Sequence, residues 1–189
     1  EGLAYLKKRG LKDETIARFR LGYAPDNRRG LFQALKAKGV EEGQAIELGL
    51  LRQPEGGGEA YDYFRGRVIF PITDLRGRVI AFGGRTLGDG QPKYLNSPET
   101  PLFHKGSVVY NHHNARKAAH DKGQVIAVEG YVDVISMSVA GFPNVVAPLG
   151  TALTPDQCEL LWRMSEEPIL CFDGDRAGRK AAYRAIDTA

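Results

Sequence analysis

The sequence predicts an α/β protein whose last third is a parallel sheet with helices on both faces. Three short apolar runs lie at 124–129, 144–149 and 168–173, and each is followed by glycine. Stretches with helical spacing separate the runs. Short apolar runs closed by glycine are typical of buried strands, and helical connections between them make the strands parallel.

The first fifty residues are predicted to form short helices. A first helix begins near Leu3 and stops at Gly10, Asp13 caps a second, and Leu31 and Leu35 indicate a third. A fourth short helix precedes residue 50. This part offers no recognisable chemistry, and we interpret it as a packing scaffold.

The middle of the chain is predicted to contain a β-hairpin. Residues 53–58 include three consecutive glycines and are typical of a loop. The segments 66–72 and 77–83 both begin Gly-Arg-Val-Ile, and the four residues between them suit a turn. Pro71 is expected at a sheet edge or a strand end. Residues 92–100 are predicted to be an irregular polar stretch.

The elements that complete the last third follow from caps and spacing. A strand is predicted at 107–110 and helices at 111–122 and 131–140. Thr154 begins a further helix, with proline next and Gln157 three residues on, as in a capping box. A last helix starts near Ala177.

These elements predict two domains. Residues 1–122 form a basic α+β subdomain, and residues 123–189 form a Rossmann-like parallel sheet. The chain does not begin with methionine, so we expect a fragment of a longer protein.

Charge is concentrated in the middle of the chain. The formal net charge is +3, and residues 60–122 hold ten Lys and Arg against five Asp and Glu. This asymmetry favours a polyanionic partner bound by the middle segment, and a solvated surface is the alternative. No apolar run is long enough to span a membrane. Cys158 and Cys171 match no metal-ligand pattern and are expected to be free buried thiols, which favours a reducing, cytoplasmic setting.

Acidic residues follow two of the predicted strands. Glu129 ends the first apolar run, and Asp173 and Asp175 end the third. Ligands gather at the carboxyl ends of parallel strands, where three carboxylates would need a divalent cation, above all Mg²⁺. An Asp-Gly-Asp sequence also occurs in calcium loops, but the other ligands of such a loop are absent. A phosphatase with an aspartate nucleophile would leave Glu129 without a role.

Polar and aromatic residues of the middle segment suit a nucleotide. Arg85 follows two glycines that let a backbone approach closely, and Lys93, Tyr94 and Asn96 combine charge, stacking and hydrogen bonding. Lys105 continues this pattern. An ordinary surface loop is the alternative interpretation.

Several motifs together resemble one known family. Glu129-Gly-Tyr-Val-Asp133 and Asp173-Gly-Asp-Arg-Ala-Gly178 resemble the first two acidic motifs of a Toprim domain. Five further segments are similar to the core of DnaG-type primases. They are Arg67–Ile72, Gly77–Arg85, Pro92–Thr100, Phe103–Gly106 and Leu149–Thr151. The resemblance extends from about Arg65 to the end of the chain.

The resemblance implies a DNA-directed RNA polymerase that makes short RNA primers on single-stranded DNA. Glu129, Asp173 and Asp175 would be the catalytic residues that hold Mg²⁺ or Mn²⁺, with Asp133 in support. Ribonucleoside triphosphates and template would bind a basic ridge. The residues that match this ridge are Arg85, Lys93, Tyr94, Asn96 and Lys105, with Arg65 and Arg67 as extensions.

The resemblance also implies parts that this chain does not include. These are the third acidic motif, a helical subdomain, an N-terminal zinc-binding module, and the regions that contact the replicative helicase and the single-strand-binding protein. We therefore expect weak or absent primer synthesis from this chain alone. The RNA–DNA primer is a further expected partner. Two alternatives remain at this point: a topoisomerase-type Toprim domain and a non-catalytic nucleic-acid-binding Toprim module.

Overall fold

Two packing units divide the chain. The computed structural model describes residues 1–150 and 152–188, so Thr151, which belongs to one of the resembling segments, lies outside the described residues. The first unit comprises 1–71 and 81–103, and the second comprises 72–80 and the chain from His104 onward. The boundary predicted after residue 122 differs from this division, because residues 104–122 pack with the second sheet.

The first unit begins with short helices, as predicted. Asp13 is not the cap of the second helix: Lys12 occupies that position, and the Asp13 carboxylate accepts a hydrogen bond from Lys7 Nζ at 3.0 Å. Phe32 contributes to a small buried cluster around Ala45. The helices are α1 Gly2–Lys8, α2 Asp13–Arg18, α3 Gly30–Lys36 and α4 Glu42–Glu47.

Two small sheets complete this part of the fold, except that the tip of one hairpin, 72–80, is assigned to the second unit. One has the strand order β1-β4-β5-β6, and the other is the antiparallel pair β2-β3, whose connection contains the predicted glycine loop. The strands are β1 Gly22–Ala24, β2 Leu51–Arg52, β3 Tyr61–Asp62, β4 Arg67–Thr73, β5 Val79–Thr86 and β6 Tyr94–Asn96. The predicted hairpin is confirmed as β4 and β5. The prediction of an irregular stretch at 92–100 is wrong for β6, which pairs with β5.

Pro71 lies inside β4 rather than at its end, and the edge that was predicted for it is a local one. β1 pairs with β4 only as far as Ile69. On the side that faces β1, β4 is therefore not paired at Pro71. A residue without a backbone N–H is tolerated there, although β4 has a neighbouring strand on each side.

The second unit contains the predicted α/β sheet, in the strand order β10-β8-β9-β7. β8, β9 and β10 are parallel, and β7 is an antiparallel edge strand paired with β9. The strands are β7 Val109–Tyr110, β8 Ile126–Ala127, β9 Val145–Pro148 and β10 Ile169–Leu170. The helices are α5 His112–Lys122, α6 Tyr131–Val139, α7 Pro155–Trp162 and α8 Arg176–Thr188.

The core of this unit lies between the sheet and its helices. Ala119 of α5, Leu161 of α7 and Ala185 of α8 join one buried cluster with Ala127 and Val146 of the sheet. Neighbouring strand residues alternate between faces, so Ile126 and Val145 point to the opposite face. α6 packs against β9, and its Val134 and Ile135 are buried outside that cluster. The predicted capping box at Thr154 is confirmed.

The two cysteines differ in environment. Both are free, but only Cys158 is buried. The prediction of a buried thiol is wrong for Cys171, because β10 is the edge strand of its sheet. In the part of the chain that the structure describes, no helix combines the length and the apolar character needed to cross a membrane.

Candidate functional site

Glu129 and Asp173 meet at the carboxyl ends of neighbouring parallel strands. β8 and β10 pair with Leu170 opposite Ala127, so the residues that follow each strand emerge at the same edge of the sheet. The backbone N–H of Asp173 donates to Glu129 Oε1 at 2.7 Å. The structure therefore brings the two acidic motifs together. We call Glu129, Asp133, Asp173 and Asp175 the acidic end.

Asp175 connects the acidic end to the start of α8. Its Oδ1 accepts the backbone N–H of Gly178 at 2.8 Å, which satisfies one of the free N–H groups of the first helical turn. Gly178 is buried, and a Cβ there would meet the Asp173 carbonyl oxygen and lie 2.6 Å from Glu129 Oε1. The absence of a side chain at Gly178 thus allows α8 to approach both acidic motifs.

Asp133 lies in the first turn of α6, which follows Glu129 and Gly130. Partial desolvation raises the pKa of its carboxyl group, and the negative charge of Asp173 raises it further. Backbone hydrogen bonding at Gly130 and Asp133 acts in the opposite direction. Negative charge therefore accumulates at this edge of the sheet, and a cation would relieve it.

The donor chemistry of the acidic end fits Mg²⁺. This ion prefers oxygen ligands, and one or two carboxylates with water and substrate phosphates are a common way of holding it. Glu129, Asp173 and Asp175 supply carboxylates, although Glu129 Oε1 is turned towards a backbone N–H. Within residues 1–150 and 152–188, no three His, Cys, Asp or Glu side chains are arranged as they stand to hold a metal ion. Metal binding here remains a prediction.

Most residues of the predicted ridge lie in the first unit. We call this set the basic surface, and its members are Arg65, Arg67, Arg85, Lys93, Tyr94 and Asn96. Arg85 of β5 is opposite Tyr94 of β6 in the register. Its guanidinium carbon lies 5.7 Å from the centre of the Tyr94 ring and 5.1 Å from that of Tyr5. Two aromatic rings therefore hold this charged group by cation–π contacts.

Arg65 and Arg67 have different surroundings. Arg67 is buried in β4, where desolvation lowers its pKa although the Tyr63 side chain acts to raise it, and its Nη1 lies 3.4 Å from the Lys93 carbonyl oxygen. Arg65 is exposed and stacks on Tyr61 at 5.3 Å, and Arg28 lies over the same ring at 5.6 Å. Arg67 thus supports the sheet, whereas Arg65 and Arg28 offer charge to solvent.

The remaining predicted residues divide between the units. Lys93 and Tyr94 are exposed, and Asn96 is half-buried opposite Gly83. Lys105 belongs to the second unit, at the start of a 3-10 turn Lys105–Ser107. Its carbonyl oxygen accepts a hydrogen bond from Gln157 Nε2 at 2.9 Å, so α7 fixes this backbone.

Sequence reasoning missed Tyr5, Arg28, Tyr61 and the role of Gly178. Tyr5 stacks on a residue eighty positions away, and Arg28 contacts Tyr61 from a distant segment, so no local spacing could have linked these pairs. Gly178 was visible inside its acidic motif, but its buried approach to Glu129 depends on the pairing of two strands.

Family models match both parts of the chain. The model described as "DNA primase catalytic core, N-terminal domain" matches residues 1–116, and the Toprim domain model matches residues 123–189. DNA primase of Pseudomonas putida is 50% identical over 184 residues, which are 97% of this chain and 28% of the relative. DNA primase of Deinococcus radiodurans is 51% identical over 186 residues, covering 98% of this chain and 33% of the relative.

Solved structures agree with these matches. A DNA primase domain from Pseudomonas aeruginosa has a TM-score of 0.90 and 48% identity, covering 98% of this chain and 58% of that structure. A DnaG primase catalytic domain bound to single-stranded DNA has a TM-score of 0.88 and 46% identity, with 98% and 58% coverage.

The fold and the paired acidic motifs define the class of proteins that contain a Toprim domain. Within this class, the chain belongs to the DnaG family of DNA primase catalytic cores. It spans about a third of the length of the curated relatives it matches. The match of residues 1–116 favours this family over the topoisomerase alternative.

Proposed function

We propose that this chain is part of the catalytic core of a DNA primase that synthesises short RNA primers on single-stranded DNA. The observation that carries the proposal is the hydrogen bond from Asp173 N–H to Glu129 Oε1 at 2.7 Å. It joins two acidic motifs at the strand ends where ligands of parallel sheets bind. The reaction that we propose is nucleotidyl transfer from a ribonucleoside triphosphate, and membership of the primase family supports it.

Glu129, Asp173 and Asp175 would hold Mg²⁺ or Mn²⁺, and Asp133 would support them. A bound cation would lower the pKa of the attacking 3′ hydroxyl and neutralise charge on the phosphate oxygens. The protein contributes position: Asp175 is tied to Gly178 N–H, and Glu129 is tied to the Asp173 backbone. These contacts fix the carboxylates before substrate arrives, which is what electrostatic stabilisation requires.

The basic surface and Lys105 would bind the triphosphate and the template. Arg85 contacts two aromatic rings, so less conformational entropy is lost when it binds a phosphate. The exposed ring of Tyr94 offers a stacking surface for a base. Arg65 is exposed beside Tyr61 and would extend this contact.

The same proposal assigns partners. Template DNA, ribonucleoside triphosphates and the RNA–DNA primer would contact this chain directly. The replicative helicase and the single-strand-binding protein would contact other regions of the full protein. Zinc would be bound by an N-terminal module of the full protein. We place the enzyme in the bacterial cytoplasm at the replication fork.

The test is metal-dependent nucleotide binding. A fluorescent ribonucleoside triphosphate is titrated with and without Mn²⁺ into wild type and Asp173→Asn. The asparagine keeps the backbone N–H that Glu129 accepts, so any loss reports the carboxylate charge. We expect Mn²⁺ to tighten binding in wild type only.

The matched control is Asp121→Asn, which removes an exposed carboxylate at the end of α5. It should behave as wild type. Equal response to Mn²⁺ in Asp173→Asn and wild type would contradict the metal assignment. A primer-synthesis assay on single-stranded DNA is expected to give weak or no product from this chain alone.

A further inference from the structure

The outer face of α8 carries a basic groove. The groove has a volume of about 610 Å³ and begins at Gly174, between Asp173 and Asp175. We call it the α8 groove, and it is lined by Arg176, Arg179, Lys180, Tyr183, Arg184 and Asp187.

Helix geometry places these residues on one side. Arg176, Lys180 and Arg184 recur every four residues, which is the spacing of one helical face. Gly178 and Ala185 lie on the opposite side and are buried. The cationic side chains are therefore not needed to pack α8 against the sheet.

The positive charge of the α8 groove is not neutralised within the described residues. None of its cationic side chains forms an ion pair with a carboxylate in the ranges 1–150 and 152–188, and Arg179 Nε donates instead to the Gly174 carbonyl oxygen at 3.0 Å. Arg29 in the first unit, by contrast, pairs with both Glu42 and Glu59. Like charges at this spacing repel one another, and an anionic ligand would relieve that cost.

We propose that the α8 groove binds the sugar–phosphate backbone of a single-stranded nucleic acid. Arg176 and Arg184 are eight residues apart, or about 12 Å at the rise of an α-helix, a distance that suits successive phosphates of a strand better than one compact anion. Tyr183 is 70% exposed in the same groove. A basic groove with an exposed aromatic ring is the arrangement by which proteins hold single strands, because bases stack on the ring while phosphates meet the cations.

This inference concerns binding alone and goes beyond the proposed function. It holds whether or not the acidic end binds a metal ion. Because Gly174 lines the groove and lies between Asp173 and Asp175, a strand along α8 would run to the acidic end.

The first test measures affinity for a labelled single-stranded oligonucleotide by fluorescence anisotropy at several salt concentrations. The variant carries Lys180→Gln and Arg184→Gln. The matched control carries Lys36→Gln and Lys38→Gln, which remove two exposed charges near the end of α3. Each lost phosphate contact should reduce the slope of log affinity against log salt by about 0.7, so the α8 variant should lose about 1.4. The control should keep the wild-type slope.

An unchanged slope and affinity in the α8 variant would overturn the inference, and so would an equal loss in the control. Circular dichroism on each variant verifies folding, which these exposed substitutions should not disturb. The metal proposal is tested by Mn²⁺-dependent nucleotide binding, which this assay does not measure, so a failure of that proposal can be told apart from a failure of this one.

The second test separates a strand from a free polyphosphate. Tyr183→Ala should weaken oligonucleotide binding about five-fold or more, whereas Tyr183→Phe keeps the ring and should bind as wild type. Inorganic tripolyphosphate should compete poorly with the oligonucleotide. Efficient competition, with equal binding by the alanine and phenylalanine variants, would assign the α8 groove to a compact anion and overturn the proposal.

Discussion

The acidic end and the basic surface are held in place by different means. Glu129 and Asp175 are fixed by backbone N–H groups of Asp173 and Gly178, close to the strand ends that present them. Arg85 is fixed by side chains, one of which comes from α1. Backbone-held groups tolerate little displacement, whereas stacked side chains can adjust. A small change near the acidic end should therefore cost more than a larger change near the basic surface.

Gly178→Ala is expected to have the largest effect. The new methyl group would meet the Asp173 carbonyl oxygen and Glu129 Oε1, and a backbone oxygen cannot move aside cheaply. Overpacking of this kind costs about 1–3 kcal/mol, and a clash with a backbone oxygen should lie near the upper end of that range. The cost is then larger than the roughly 1 kcal/mol that alanine gains over glycine in a helix. Urea unfolding should show the loss, and Mn²⁺-dependent nucleotide binding should fall on the order of tenfold or more because the carboxylates shift.

The control for this change is Gly174→Ala in the same acidic motif. A Cβ at Gly174 meets nothing within 4 Å, so this variant should keep its stability and its nucleotide binding. If both alanine variants behaved alike, the backbone would not be what fixes the acidic end.

Asp62→Ala tests whether the first unit has a backbone-held carboxylate of its own. Asp62 is 3% exposed and accepts the N–H groups of Leu31 and Phe32 at 2.7 and 3.1 Å, at the start of α3. Leaving these donors without a partner should lower the unfolding free energy by about 1–3 kcal/mol in urea titration. Asp89→Ala, in an exposed loop, is the control. A difference between them below about 0.5 kcal/mol would show that α3 does not depend on this contact.

The same contrast explains how far the sequence predicts the molecule. The meeting of Glu129 and Asp173 was predictable, because side chains that follow parallel strands emerge at the same edge of the sheet. The contact between Tyr5 and Arg85 was not predictable, because the local sequence of α1 does not show which distant side chain its tyrosine contacts. Cys171 failed for a related reason: an apolar run does not reveal whether its strand lies at an edge.

Acidification tests a buried side chain of the second unit, His112. Burial lowers the pKa of the His112 imidazole, and the positive charges of Arg116 and His113 lower it further. The unfolded chain then binds this proton more readily than the folded chain, so stability falls as the pH drops from about 6.5 through the lowered pKa. Thermal unfolding between pH 7 and 5 should show a smaller loss for His112→Gln than for wild type.

His120→Gln is the control, because the side chain of His120 is 90% exposed. It should follow the wild-type pH dependence. Parallel curves for wild type and His112→Gln would instead attribute acid sensitivity to other groups, including the carboxylates of the acidic end.

Tyr5 provides the smallest expected effect and the most direct test of side-chain support at the basic surface. Its ring lies 5.1 Å from the Arg85 guanidinium carbon, and its hydroxyl is buried without a hydrogen-bond partner within the described residues. Tyr5→Leu removes the cation–π contact and should weaken binding of a single-stranded oligonucleotide by about 0.5–1 kcal/mol. Tyr5→Phe keeps the ring and removes the buried hydroxyl, so oligonucleotide binding should match wild type and stability should be equal or higher. Equal oligonucleotide affinity in the leucine and phenylalanine variants would mean that Tyr94 alone orients Arg85.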